Sequence, residues 1–282
     1  MLGSLVIVYP TPHQGGELVL RHKYREWTFD ANSMMLSQPC PSVAYLAFYS
    51  DTEHEVLKVS SGCRVTLTHN LYLVDQTQGK QVPSVIPNLR DISTLQSTLE
   101  HLLKPPEFLP DGGILGFGLA HLYPVTFKSK LREVTKYLKG EDAHVYRACR
   151  ELQLDPSLRM VYDDDRLDWD GIRTASRPRG IMLARMVEQP KYDYMDVSYR
   201  EQLIKKYGGI PINLDNETLT ESSRWVTDRV AGKWEQITWV TPFKTLNHLR
   251  DVVTAYANQV AVDFIYCSPC LTVPISPASE RV

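Results

Sequence analysis

Residues 54–67 read HEVLKVSSGCRVTL. A histidine opens one strand-like run, and an arginine opens the next, ten residues on and just past a glycine. Continued to residue 72, the second run alternates: Arg64, Thr66, Thr68 and Asn70 share one face, and Val65, Leu67, His69 and Leu71 share the other. On an exposed sheet the polar face is a wet outer surface. Lining a barrel, it is a ligand wall where the Arg64 guanidinium grips a carboxylate through paired hydrogen bonds and the Thr66 hydroxyl adds another. The pattern leaves both readings open. His54 taken alone is more often a turn or surface residue than a metal ligand. Its neighbours Glu53 and Glu55 face away from it in an extended strand, and Asp51 reaches it only through a turn.

Upstream of this stretch, residues 3–9, 16–22, 26–30 and 43–50 are short runs rich in Val, Leu, Tyr and Thr, separated by Pro, Gly, Ser and Asp. With 54–59 and 64–74 they form a set of closely spaced strands with no helical period between them, which predicts a sandwich or barrel. A polar, proline-bearing stretch at 75–91 reads as a linker or excursion. Beyond it the period changes. Ser93 and Gln96 have capping-box spacing ahead of Leu95, Leu99, Leu102 and Leu103 on one helical face. Further helices are expected at 129–139 and at 142–153, the latter with Asp142 as its cap, and more weakly at 197–206 and 242–256. Strands return at 235–240 and 263–275, and the final SPASERV is expected to be mobile.

With 282 residues, 43% hydrophobic and 23% charged, the chain can bury a full core. A formal net charge of −2 and the lack of a basic patch argue against a nucleic-acid partner. No run approaches a membrane span, and the N-terminal MLGSLVIVYP lacks a basic leader and a cleavage site. The five cysteines, Cys40, Cys63, Cys149, Cys267 and Cys270, show no disulfide framework, so a cytoplasmic or nuclear location is expected. Cys267 and Cys270 form a CxxC pair. It has no second CxxC, and ordinary strand-end thiols are preferred over a zinc or redox site. The acidic run at 163–170 lacks the glycine and distal glutamate of a calcium loop and reads as solvated. Asn216 opens an N-E-T sequon that is irrelevant in a reducing compartment.

GSLVIVYPTPHQGGELVLRH followed by VAYLAFYSDTEHEVLKVSSGCRVTLTHNLYLV resembles the iron(II)/2-oxoglutarate dioxygenases of the prolyl 4-hydroxylase-like class, in a form common among fungal proteins. The resemblance spans residues 3–74. Residues 112–124, 138–152 and 237–243 also resemble the C-terminal extension of that group. It implies that His54 occupies the place of the distal iron-binding histidine. Arg64 takes the place of the residue that holds the far carboxylate of 2-oxoglutarate, with Thr66 as its helper. It further implies Fe(II), 2-oxoglutarate as cosubstrate and ascorbate as an optional reductant, with hydroxylation of a protein side chain or small molecule as the reaction. Iron held by two histidines and a carboxylate keeps three positions open for cosubstrate and oxygen.

The family's His-x-Asp pair belongs just upstream of residue 1, so two of the three iron ligands are missing. His13 and His22 are not followed by an acid two positions on and do not replace it. A truncated sequence, a non-catalytic descendant that keeps the fold, and an unrecognised iron site are the competing explanations. The expectation is an α+β chain: a jelly-roll-like double-stranded β-helix core, N-terminally incomplete, at 1–75, and a mixed helical and strand-bearing region at 76–282. The functional expectation is membership of this dioxygenase family with activity in doubt, or a non-catalytic protein-interaction module on the same fold. Its partner is an unidentified protein or small molecule.

Overall fold

The computed structural model describes residues 1–72, 89–126, 128–163, 180–187, 199–216, 235–243, 251–255, 261–265 and 267–281. The chain is mixed α+β and divides into two compact units, Met1–Ser84 and Val85–Val282. Among the described residues no helix is long and apolar enough to cross a membrane.

The first unit is built from β1 (Gly3–Val8), β2 (His13–Gly15), β3 (Leu18–His22), β4 (Arg25–Phe29), α1 (Ala31–Leu36), β5 (Ala44–Tyr49), β6 (Glu53–Val56), β7 (Val59–Gly62) and β8 (Thr66–Leu71). Its strands form antiparallel sheets in the orders β5-β1-β8 and β4-β3-β6, with β2 paired to β7. Val6 and Val8 of β1 and Phe48 of β5 pack with Phe29 of β4 and Ala31 of α1, so the two three-stranded sheets face each other across a small core. The helix α1 was not foreseen. Its signal is Asp30, whose carboxylate accepts from the backbone N–H and hydroxyl of Ser33 and caps the first turn.

In the second unit a six-stranded sheet runs β12-β11-β10-β16-β9-β13. The strands are β9 (Gly113–Gly118), β10 (Ser157–Asp163), β11 (Gly180–Leu183), β12 (Ile210–Ile212), β13 (Ile237–Thr241) and β16 (Cys267–Ile275); β14 (Asp251–Ala255) and β15 (Ala261–Ile265) form a separate hairpin. The helices are α2 (Leu89–Leu103), α3 (Leu131–Val134), α4 (Gly140–Glu151) and α5 (Tyr199–Lys205). Met160 and Tyr162 of β10 face a core shared with Leu99, Val134, Ala148 and Leu203 of the helices. Val161, between them, faces a second cluster with Met182, Ile212, Ile237 and Trp239. Two buried faces explain why the runs MVY and GIML are continuously apolar and why β16 is buried on both sides along CLTV. Pro269 and Pro274 sit inside the central β16, where a missing N–H ordinarily breaks a ladder. Each stands where one neighbour has ended: Pro269 is in register only with Met160 of β10, and Pro274 only with Ile114 of β9.

Several expectations are corrected. The helix over Ser93 begins upstream at Leu89, so Ser93 lies inside it and caps nothing. Residues 251–255 are a strand. The final segment is anchored: Arg281 donates to the carbonyls of Ser276 (2.8 Å), Leu103 (3.2 Å), Phe108 (2.8 Å) and Leu109, and so covers the C-terminal end of α2. Cys267 and Cys270 lie on opposite faces of β16, one in each core cluster, so they cannot chelate one ion or pair with each other. Burial pushes the Cys270 thiol up to about 12. The Asn216 amide brackets Trp239, donating to its carbonyl at 2.9 Å and accepting from its N–H at 2.7 Å. The stretch 73–88 and the acidic run beyond Asp163 lie outside the described residues.

Asp142 does not cap α4, which starts at Gly140. Its buried carboxylate instead accepts from the backbone N–H groups of Ala120 (2.8 Å) and His121 (3.1 Å) and from the Tyr123 hydroxyl (2.7 Å), pinning the loop after β9. Burial outweighs these donors and raises its pKa above the ordinary carboxylate value. The folded state therefore holds this proton more tightly than the unfolded chain does. The stabilisation is full below the unfolded pKa and is lost as pH rises through the folded one. Urea unfolding across acidic pH should show the advantage of wild type over Asp142→Asn shrinking as pH rises; a widening gap would contradict this account.

Candidate functional site between the sheets of the first unit

Register decides which way the two candidate residues point. Val8 is paired with Thr66 and Val6 with Thr68, and side chains paired across a ladder lie on one face. Val6 and Val8 face the core, so Thr66, Thr68 and Asn70 face the same inter-sheet side. The polar face of β8 thus lies on the side of the Val6–Val8 core, although Thr66, Thr68 and Asn70 all stay exposed. The apolar face is the outer one, with Val65 45% and Leu67 42% exposed beside Tyr45 at 73% on β5. That is the reverse of an ordinary sandwich strand.

Arg64 stands two residues before Thr66. Its aliphatic stem occupies the space that a side chain at position 16 would need, since a Cβ built on Gly16 would lie 2.7 Å from Arg64 Cδ and 2.9 Å from Val59 Cγ2. Gly16 also has φ +77°, a left-handed conformation that favours glycine. The HQGGEL segment therefore provides a slot for the arginine. The turn before Arg64 depends on Gly62, at φ +75°, where a Cβ would come within 2.1 Å of the Pro12 carbonyl oxygen. In that slot Arg64 Nε is buried, and among the described residues it has no hydrogen-bond partner. Desolvation lowers the pKa of the guanidinium, which nonetheless remains a cation at any physiological pH. A half-buried cation with no counter-charge among the described residues is poised to take an anion.

His54 is paired with Leu20 of β3, whose side chain is buried. Its ring lies 5.0 Å from that of Phe48, tilted by 47°, and its Nδ1 is 3.3 Å from the Thr52 carbonyl oxygen. It therefore reaches toward the facing sheet but stays exposed. His54 and Arg64 lie against different residues, His54 beside Phe48 and Arg64 beside Gly16 and Val59. Glu55 is turned outward, where with Glu26 it pairs with Arg21. Among the described residues, no group of three or more His, Cys, Asp or Glu side chains that includes His54 brings its ligand atoms together. His22 and Asp51, near the same end of the sheet, place ligand atoms within 4.8 Å of one another. Reasoning from the sequence had passed over this pair because its members are twenty-nine residues apart and are joined only by the pairing of β3 with β6. His13 is buried with Nδ1 2.7 Å from the Thr11 carbonyl oxygen, away from His54 in the ladder.

No protein-family model, curated protein or solved structure matches the chain.

The slot is directly testable by a double-mutant cycle. Gly16→Ala should destabilise the protein by about 2 kcal/mol, part backbone strain and part collision with Arg64. In an Arg64→Ala background the cost should fall to about 1 kcal/mol, the backbone strain and the remaining contact with Val59. Equal costs in both backgrounds would show that Arg64 does not fill the slot.

Proposed function

We propose that the first unit is a double-stranded β-helix of the iron(II)/2-oxoglutarate dioxygenase type, and that its inter-sheet space binds a 2-oxoglutarate-like dicarboxylate. One observation carries this reading: the Arg64 guanidinium, whose buried Nε has no hydrogen-bond partner among the described residues, heads the face of β8 that Val6 and Val8 share. The strand path supports it. The chain crosses between the two three-stranded sheets repeatedly, with β1 in one, β3 and β4 in the other, β5 back in the first, β6 in the second and β8 in the first, while β2 and β7 pair in a small sheet of their own.

In this reading Arg64 takes the far carboxylate through paired hydrogen bonds, and Thr66, two residues on and on the same face, adds its hydroxyl. Phe48 and Leu20 provide apolar surface near His54, and that surface favours a short carbon chain over water. When bound, iron would supply the oxidative chemistry of the family. The residues described here fit the dicarboxylate and do not fit a complete iron centre, since His54 lacks companions at coordinating distance. No hydroxylation step is therefore derived for this chain. That shortage favours a second reading, a non-catalytic module that keeps the fold and the anion site.

Calorimetric titration of the intact chain separates these possibilities. 2-Oxoglutarate should bind to wild type, and Arg64→Gln should weaken that binding by roughly 10- to 100-fold, the range expected for a charge-assisted pair. Fe(II) should bind weakly. Binding that ignores the Arg64 substitution would overturn the anion site, and tight stoichiometric iron would overturn the non-catalytic reading.

A further inference from the structure

A second cavity, of about 690 Å³, lies in the first unit and includes neither His54 nor Arg64 among its lining residues. Two Pro-x-Pro segments wall it: Pro10 and Pro12 in the link between β1 and β2, and Pro39 and Pro41 between α1 and β5. Proline fixes φ and carries no N–H, so these walls are stiff, apolar and without backbone donors at four points. Among the described residues no Asp, Glu, Lys or Arg lines the cavity. Its polar lining includes Thr11, Gln14, Gln38 and Ser61, each with a side-chain hydrogen to donate.

One cysteine belongs to this wall. Cys40 lies between Pro39 and Pro41, and a residue that precedes proline is confined to extended conformations. The Ser42 hydroxyl donates to the Cys40 carbonyl at 2.9 Å and ties down the same segment. The backbone that carries the thiol therefore has little freedom. His13, only 6% exposed, lines the cavity as well. Its Nδ1 is 2.7 Å from the Thr11 carbonyl oxygen and carries the hydrogen of that contact, because a carbonyl only accepts. Nε2 has no hydrogen-bond partner among the described residues and is the atom that the ring can offer an occupant. It accepts when the ring is neutral and donates when the ring is charged; the hydroxyl and amide donors around it make that state immaterial to a carbonyl ligand.

We propose that this cavity is a covalent capture site, binding small neutral α,β-unsaturated ketones and aldehydes and delivering them to the Cys40 thiol. The carbon skeleton packs on the prolines and on Met35 and Leu36 of α1, while the carbonyl oxygen accepts from the side-chain donors. An ionic ligand finds no acidic or basic side chain of Asp, Glu, Lys or Arg to pair with. In the reaction the sulfur adds to the β-carbon: one S–C bond forms as the C=C π bond breaks, and the proton lost by the thiol is matched by one gained at the α-carbon. No oxidant or reductant takes part. The donors that bind the carbonyl also stabilise the negative charge its oxygen gathers as the enolate forms. What the cavity adds is proximity, since a bound reactant meets the thiol at a high effective concentration. The site uses neither His54 nor Arg64 and stands or falls separately from the dicarboxylate reading.

Cys63 is the internal control, an exposed thiol of the same unit that is not among the lining residues. The intact chain is treated with cyclohexenone over a concentration series, and the adducts at Cys40 and Cys63 are followed by peptide mass spectrometry. At low concentration Cys40 should react about tenfold faster than Cys63, and its rate should level off as the cavity fills, while the rate at Cys63 rises in proportion. Cyclohexanone, which fits the same space and lacks the reactive double bond, should slow Cys40 and spare Cys63. A Cys40 rate that never levels off, one that cyclohexanone leaves unchanged, or equal slowing at both thiols would each overturn the proposal.

Discussion

The pairing of β1 with β8 governs the first unit. Once Val6 and Val8 are committed to the core, a side-chain period of two leaves no choice for the partner strand: Thr66 and Thr68 turn inward and Leu67 turns out. A slip of one residue would bury Val65 and Leu67 and put Arg64 in bulk water. In the observed register the Arg64 stem fills the space left by the absent side chain at Gly16. The cation is held where water reaches its Nε poorly, and that physical condition makes it worth considering as an anion site.

The two faces of β8 were legible from residues 64–71, and so was the choice between a wet surface and a ligand wall. The direction was not legible, because amphipathic alternation says which residues share a face and nothing about which face is covered. The apolar outer face, with Tyr45 and Leu67 exposed, is the opposite of what hydrophobic patterning alone predicts. What would have pointed inward is the double glycine at 15 and 16, since a side-chain-free position beside a long cation is a signal of close approach.

In the second unit, element existence was easier to foresee than element ends. The leucine period announced α2, but its start lies before Ser93, at Leu89. Asp142 had the right residue type for a cap and a different task, tying the loop after β9 from within the core. β16 carries two prolines that argue against a central strand; both are tolerated because at each of them one of the two neighbouring strands has already ended. The anchoring role of Arg281 had no sequence signal, since its acceptors are backbone carbonyls that any sequence would offer.

The placement of Arg64 between the sheets can be checked without ligand, metal or substitution. Proton–proton NOE measurements on the folded chain should show cross-peaks between the Arg64 Hδ protons and the Gly16 Hα protons, and from Arg64 Hδ to a Val59 methyl group. An Arg64 side chain that shows neither contact, and instead has the averaged signals of a solvated surface arginine, would contradict the account at its root.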